Sequence, residues 1–286
     1  MRTLKAIIFD VDGTLAATEE IHRQAFNEAF KEFKIPFQWP VSEYIELLSI
    51  SGGKERIFKY LESHDFNIPD DENLRDYTLR VHQRKSEIYR AMLIAGHIGL
   101  RNGVERLIKE AKQKGISMAI ATCTSRANVE VVLKSALGED ALSYFETLVS
   151  CDLVADKKPS PEVYQFALAN LGLKPENCIV IEDTSNGNLA ALAAGIKTVI
   201  TTHPLTVDED FTGASLVIDQ LGEPEQHFTA TSGNSFGANY VDIDLLEKMI
   251  SLEDSSQHQS DHETDPRQSR QEQSILEQPK LSVSAH

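Results

Sequence analysis

The chain has 286 residues, of which 41% are hydrophobic and 25% charged, ordinary proportions for one large globular domain or two modest ones. Its formal charge of −16 argues against general affinity for nucleic acid or an anionic membrane surface. An anionic substrate must therefore meet positive charge that is local.

The first element is the apolar run "KAIIFDVD", which ends in Asp10 and Asp12 before Gly13 and Thr14 turn the chain away. Continuous apolar runs of this length suit strands covered on both faces, hence a parallel sheet. Residues 16–95 hold no convincing strand. They read as helices over "EEIHRQAFNEAFKEF", "SEYIELLS", "GKERIFKYLESH" and "NLRDYTLRVHQRKSEIYRAML", the first with Ile21, Ala25, Ala29, Phe30 and Phe33 at helical spacing. After them the amphipathic stretch 102–115 stops at Gly115. The strand-like runs "ISMAIATC" and "TLVSCD" follow, then a helix over 161–172 with Pro161 in its first turn. "NCIVIED" and "IKTVIT" complete the series, "ASLVIDQL" reads as an edge strand, and "YVDIDLLEKMI" as a last helix. Beyond about residue 250 Ser, Gln, Asp, Glu and His dominate, so residues 251–286 are expected to form a disordered tail.

Strand–helix alternation of this kind predicts an α/β fold with a doubly wound parallel sheet. The expected core is residues 1–15 and 96–250, and residues 16–95 form a helical lid over the carboxyl edge of the strands, where such sheets bind ligands. Cys123, Cys151 and Cys178 are widely spaced and odd in number, without a CxxC pair, which points to a reducing compartment without structural disulfides or zinc. "MRTLKAIIFD" lacks the apolar core of a signal peptide, and no run approaches a membrane span, so a cytoplasmic protein without a membrane partner is expected.

Residues i and i+2 of a strand share a face, so Asp10 and Asp12 sit close together. Two like charges in one cleft ask for a cation, a shared proton or a chemical task. Thr122, Lys157-Lys158 and Glu182-Asp183 follow other strands and converge on the same edge. Mg²⁺ takes oxygen ligands in octahedral geometry. Asp10, the backbone carbonyl of Asp12, and Asp183 would supply them, with Glu182 steadying a bound water. Asp10 can then attack phosphorus as a nucleophile, Asp12 can serve as acid and base, and Thr122 with a lysine can hold the phosphoryl oxygens.

Taken together, "DVDGTL", Thr122, "KKPSPEVY" and "IEDTSNGNLAALAAG" resemble the four motifs of the haloacid dehalogenase superfamily, and the helical insert resembles its C1-type cap. "HRQAFNEAF", "SGGKERI", "HQRKSEIY", "GLRNGVERLIKEA" and "ATCTSRANV" resemble the CbbY-type branch, over roughly residues 1–250. The resemblance implies a Mg²⁺-dependent sugar-phosphate phosphatase, with xylulose 1,5-bisphosphate as the substrate of characterised branch members. It assigns the motif lysine to Lys158, because the family's lysine precedes proline. Asn102 stands where the branch usually has proline and is expected to cap the following helix.

A bisphosphate needs a second anion site, and the insert carries basic segments. Lys54 follows the Gly52-Gly53 turn at a helix start, and His82, Arg84 and Lys85 lie together on another helix. Thr124 and Arg126 in "ATCTSRANV" are further expected substrate contacts. Glu19 is implied to bind substrate hydroxyls, and His22 either orients Asp12 or binds substrate. A phosphomutase resembling β-phosphoglucomutase shares this core and stays open. A non-catalytic phospho-acceptor is the second alternative, disfavoured by a positioned acid at Asp12. The expected partner is a small phosphorylated sugar, bound by a monomer.

Overall fold

The computed structural model describes residues 2–251 apart from residues 65, 67, 70, 71 and 97, and this stretch belongs to one compact unit. The tail expected over residues 251–286 lies, except for Ser251, outside the described residues.

Among the described residues seven strands form one sheet. They are β1 (Ala6–Phe9), β2 (Ser117–Ala121), β3 (Thr147–Val149), β4 (Cys178–Glu182), β5 (Lys197–Thr201), β6 (Leu216–Ile218) and β7 (Ala230–Gly233). Their spatial order is β3-β2-β1-β4-β5-β6-β7, and every neighbouring pair is parallel except β6 with β7. Each apolar run read from the sequence becomes a strand. The expectation that "ASLVIDQL" lies at the edge is corrected, because β7 pairs outside β6. β7 is the four-residue stretch "ATSG", exposed throughout, so it has no buried face to write an apolar pattern into the sequence.

The two faces of β1 explain the covered sheet. Ile7 and Phe9 join Leu107 and Ile108 of α5 (Val104–Lys114), Val132 and Leu133 of α6 (Arg126–Leu137), and Leu246 of α9 (Ile243–Ser251) in one core. Ala6 and Ile8 face the opposite layer, with Tyr164 and Ala167 of α7 (Glu162–Leu171) and Ala190 and Ala191 of α8 (Ser185–Ala193). Successive side chains pointing to opposite helical layers is what a continuous apolar run encodes.

The insert forms α1 (Glu19–Glu32), α2 (Val41–Leu47), α3 (Gly53–Ser63) and α4 (Leu74–Gly96). Phe26, Phe30, Trp39, Tyr44, Ile57, Tyr60 and Val81 build a separate aromatic core there. Ala25 of α1 and Tyr89 and Leu93 of α4 instead join the main core, so both helices run down onto the sheet edge. Two cap expectations need correction. The residue that caps α5 is Gly103, while Asn102 donates its amide to Gln220 Oε1 at 2.8 Å. Pro161 precedes α7 as its cap and is not inside the first turn.

Strands β2 and β3 lie on one side of β1, and β4, β5 and β6 on the other. The order therefore reverses between β1 and β4, the point at which open α/β sheets bind their ligands.

Candidate active site

At that switch point the β1–β4 ladder runs one residue past the strand, with Asp10 N–H donating to Ile181 O at 3.0 Å. Asp10 is thereby set beside the end of β4, where Glu182 and Asp183 emerge. Lys158 lies between them. Its Nζ donates to Asp10 Oδ1 at 2.6 Å, to Glu182 Oε1 at 2.6 Å and to Ala121 O, the end of β2, at 3.0 Å. Lys158, Glu182 and Asp183 are all buried, and so is Asp10. Lys157, its neighbour, points away from this cluster to Glu55.

The electrostatics follow from burial. Burial pushes the Asp10 carboxyl up to about 7, with Glu182 and Asp12 adding to the push and Lys158 opposing it. Burial alone would strip Lys158 of its proton, but Asp10 and Glu182 outweigh it and hold the ammonium charged. Asp183 is raised well above the carboxylate range by burial and by the charges of Glu182 and Asp10. Among the described residues, Asp10, Glu182 and Asp183 bring carboxylate oxygens within 4.8 Å of one another, a group able to hold a metal ion.

Glu182 is bonded through both carboxylate oxygens. It accepts from Lys158, Tyr164 Oη, the backbone N–H groups of Asp183 and Thr184, and Thr184 Oγ1. It therefore anchors the lysine and the start of α8. The fit is close: a Cβ on Gly187 would lie 1.7 Å from Glu182 Oε1.

Asp12 sits one turn higher. Three donors converge on its Oδ1: Thr18 Oγ1 at 2.6 Å, Tyr89 Oη at 3.0 Å and His22 Nε2 at 3.1 Å. Burial opposes ionisation, but His22, Thr18 and Tyr89 together overcome it and hold the carboxyl far below its ordinary range. Lys85 Nζ lies 2.5 Å from His22 Nδ1. With Lys85 as the donor, Nδ1 is the acceptor and Nε2 carries the N–H that Asp12 accepts. His22 thus bonds Asp12 and also lines the cavity. Burial brings Lys85 itself down to about 7.

Gly13 turns the chain at a φ of +80°, which glycine adopts without strain. A side chain there would also collide with Asp183, since a Cβ would stand 2.1 Å from Oδ2. Thr14 Oγ1 donates to Asp183 Oδ1 at 2.9 Å, and His203 Nε2 bonds Oδ2 at 3.0 Å. The Arg101 guanidinium ties this turn to the sheet, donating to Gly13 O and to the backbone oxygens of Thr201, Thr202 and Asp219.

A cavity of about 350 Å³ opens above the cluster, between the strand ends and the insert. Asp10, Asp12, Thr122, Thr124 and Lys158 line it from the sheet, and Glu19, His22, Gly52, Gly53, Lys54, His82 and Lys85 from the helices. Two expected residues lie elsewhere. Arg84 is exposed, its guanidinium forked onto Glu32 and bonded to Glu87, because it faces away from His82 and Lys85 on α4. Arg126 pairs with Glu130 one turn along α6, again on an exposed face. Thr14, Thr18, Tyr44, Tyr89, Arg101 and His203 are residues around the site that sequence reading missed. His203 follows β5, so the strand-edge logic applied to the other motifs would have found it. Tyr89 lies one helical turn beyond Lys85 and shares its face.

The haloacid dehalogenase-like hydrolase family matches residues 4–195. This chain belongs to that family. Protein CbbY of Cereibacter sphaeroides is 42% identical over 220 residues, spanning 77% of this chain and 94% of that protein. The crystal structure of CbbY from Rhodobacter sphaeroides in complex with phosphate matches with a TM-score of 0.71 at 42% identity, covering 76% of this chain and 94% of that one. A mutant of that CbbY in complex with xylulose 1,5-bisphosphate matches with the same TM-score at 41% identity, and with the same coverage. The enzyme class expected from the four motifs, a phosphatase of this superfamily, stands. Among the described residues no helix is long and apolar enough to cross a membrane.

Proposed function

We propose that this hydrolase is a Mg²⁺-dependent phosphatase of pentulose bisphosphates, converting xylulose 1,5-bisphosphate to xylulose 5-phosphate and phosphate through an aspartyl-phosphate on Asp10. The observation that carries the reading is the buried meeting of Asp10 with Lys158, Glu182 and Asp183 beneath a cavity whose helical wall is basic. The CbbY complex with xylulose 1,5-bisphosphate supports the choice of substrate.

The donor set fits the metal. Three buried carboxylates meet beside one lysine, which bonds two of them; this leaves an excess of negative charge, and every side-chain donor is a hard oxygen. Asp10 and Asp183, with the backbone carbonyl of Asp12, would hold the ion. Bound there, it would neutralise phosphoryl oxygens and the carboxylates together. Asp10 attacks phosphorus as the carboxylate, and the P–O bond to the sugar breaks. Lys158 and Thr122 hold the non-bridging oxygens, where charge builds up in the transition state. Asp12 gives a proton to the departing sugar oxygen and takes one from the water that cleaves the acyl phosphate. The three donors on its Oδ1 favour the ionised form, which suits the second step; for the first, Asp12 takes up a proton on Oδ2 when the negative charge of the bound phosphate arrives beside it. Lys54, the Gly52-Gly53 turn, His82 and Lys85 meet the second phosphate, and Glu19, held by Tyr44 Oη at 3.2 Å, meets sugar hydroxyls.

Metal binding carries a pH signature. Asp10 takes a proton near pH 7 when folded and near 4 when unfolded. Between those values the folded state binds more protons, so this group's contribution to metal-free stability falls as pH rises from about 4 to about 7. An ion that needs the carboxylate then has no proton to displace at pH 8. Added Mg²⁺ is expected to raise the melting temperature more at pH 8 than at pH 5.5, read by calorimetry. An equal rise at both would contradict the assignment of Asp10 as a ligand.

Substrate class is tested by phosphate release with and without Mg²⁺. The panel is xylulose 1,5-bisphosphate, ribulose 1,5-bisphosphate, fructose 1,6-bisphosphate, β-glucose 1-phosphate and simple monophosphates. The pentulose bisphosphates should lead by at least about tenfold in kcat/KM, the scale of one well-made charged contact. Conversion of β-glucose 1-phosphate to glucose 6-phosphate without net release would make the enzyme a mutase.

A further inference from the structure

The first lysine of the "KK" pair has a task of its own. Lys157 lines the cavity, yet its Nζ is 2.5 Å from Glu55 Oε2, joining the loop after β3 to the first turn of α3. Lys54 Nζ stands 3.8 Å from the other oxygen of the same carboxylate. Gly52 packs directly against this pair: its φ is +91°, and a Cβ there would lie 2.2 Å from Glu55 Oε2 and 2.4 Å from Lys157 Nζ. Burial brings His82 beside them down to about 3, helped by the charges of Lys85, Lys157 and Lys54. This end of the cavity is therefore positive, and Glu55 is the carboxylate bonded to Lys157 there.

We propose that Lys157 is a specificity-determining residue for the second phosphate, and that Glu55 is a resident carboxylate which the phosphate displaces. The inference rests on the bisphosphatase reading and deepens it. A phosphate dianion offers twice the charge of Glu55 and three acceptor oxygens, so it outcompetes the carboxylate for Lys157 and Lys54 together. A substrate with one phosphate, engaged at Asp10, has nothing to place there and leaves the Lys157–Glu55 pair closed. Because Lys158 is the next residue and bonds Asp10, the two lysines divide the substrate's phosphates between them: one faces the phosphate that leaves, the other the phosphate that stays.

The test uses the full-length enzyme with Mg²⁺, xylulose 1,5-bisphosphate and a simple sugar monophosphate. Lys157→Met is expected to raise KM for the bisphosphate about tenfold, with kcat and the monophosphate kcat/KM each within about twofold of wild type. Glu55→Gln is expected to lower KM for the bisphosphate about threefold, because the competing carboxylate is gone while the lysines remain. A pair that merely clamps the helices to the sheet would instead raise KM in both variants and for both substrates, and that result overturns the inference. Circular dichroism melting confirms that each variant is folded. If wild type prefers the bisphosphate and Lys157→Met keeps the full preference, only this inference falls. If wild type shows no preference for a second phosphate, the bisphosphatase reading falls with it.

Discussion

Asp10→Asn is expected to lower phosphate release by at least about four orders of magnitude while leaving the fold intact. An amide is the same size as the carboxylate but has no charge with which to attack phosphorus, so the covalent route is closed. The buried surroundings favour the neutral side chain, since burial already pushes the Asp10 carboxyl up to about 7. Lys158 keeps Glu182 as a partner at 2.6 Å, so the variant should melt within a few degrees of wild type. Steady-state phosphate release and calorimetry read the two halves of this expectation. Residual turnover within about tenfold of wild type would remove Asp10 from the nucleophile's role.

Lys158→Met has the second largest expected effect, and it reaches stability as well as turnover. Methionine fills the same volume but leaves Asp10 and Glu182 buried without the cation that both bond. Removing one partner from a buried charge pair costs about 3–5 kcal/mol. The carboxylates respond by taking up protons, so the loss is smaller at acidic pH, where protonation does what the lysine did. Turnover is expected to drop by about 10³-fold, because Lys158 also balances the charge that builds on the phosphoryl oxygens. The comparison of melting temperatures at pH 5.5 and pH 8, variant against wild type, checks the sign. A destabilisation greater at pH 5.5 would contradict it.

These expectations concern residues visible in the sequence, and the reason is geometric. Asp10, Asp12, Thr122, Glu182 and Asp183 stand at or just beyond strands whose apolar runs are continuous, and Lys158 is on the loop that follows β3. A parallel sheet brings such ends to one edge by its topology alone. What surrounds them was legible only in part. The position of His203 just after β5 marks it as a strand-edge residue, but its particular partner, Asp183, is set by the packing of β4 and β5 side by side. Tyr89 and Thr18 bond Asp12 from an adjacent helix and the loop before α1, contacts that depend on how the insert folds back over the edge. Arg101 ties Gly13 to backbone oxygens at Thr201, Thr202 and Asp219, a convergence of distant segments that local spacing does not encode.

Charge in the insert shows the same limit. Basic composition at "HQRK" suggests a phosphate grip, but a helix distributes neighbours around its axis. His82 and Lys85, three apart, line the cavity, whereas Arg84 turns to Glu32 across the surface. Lys85 also spends its ammonium on His22, linking it to Asp12. Exposed ion pairs such as Arg84–Glu32 contribute little to stability, about 0–1 kcal/mol, and their partners cannot be read from local sequence when they lie on another helix.

The central claim, that Asp10 carries the phosphoryl group between substrate and water, is tested most directly by rapid acid quench of wild-type enzyme turning over xylulose 1,5-bisphosphate with Mg²⁺. Mass spectrometry of the digested protein then locates any phosphoryl group. The account predicts one phosphoryl group on the peptide that contains Asp10, formed within the first turnover and absent from Asp10→Asn. Phosphate release at full rate with that peptide unmodified throughout would contradict it, and would move the chemistry to direct attack by water.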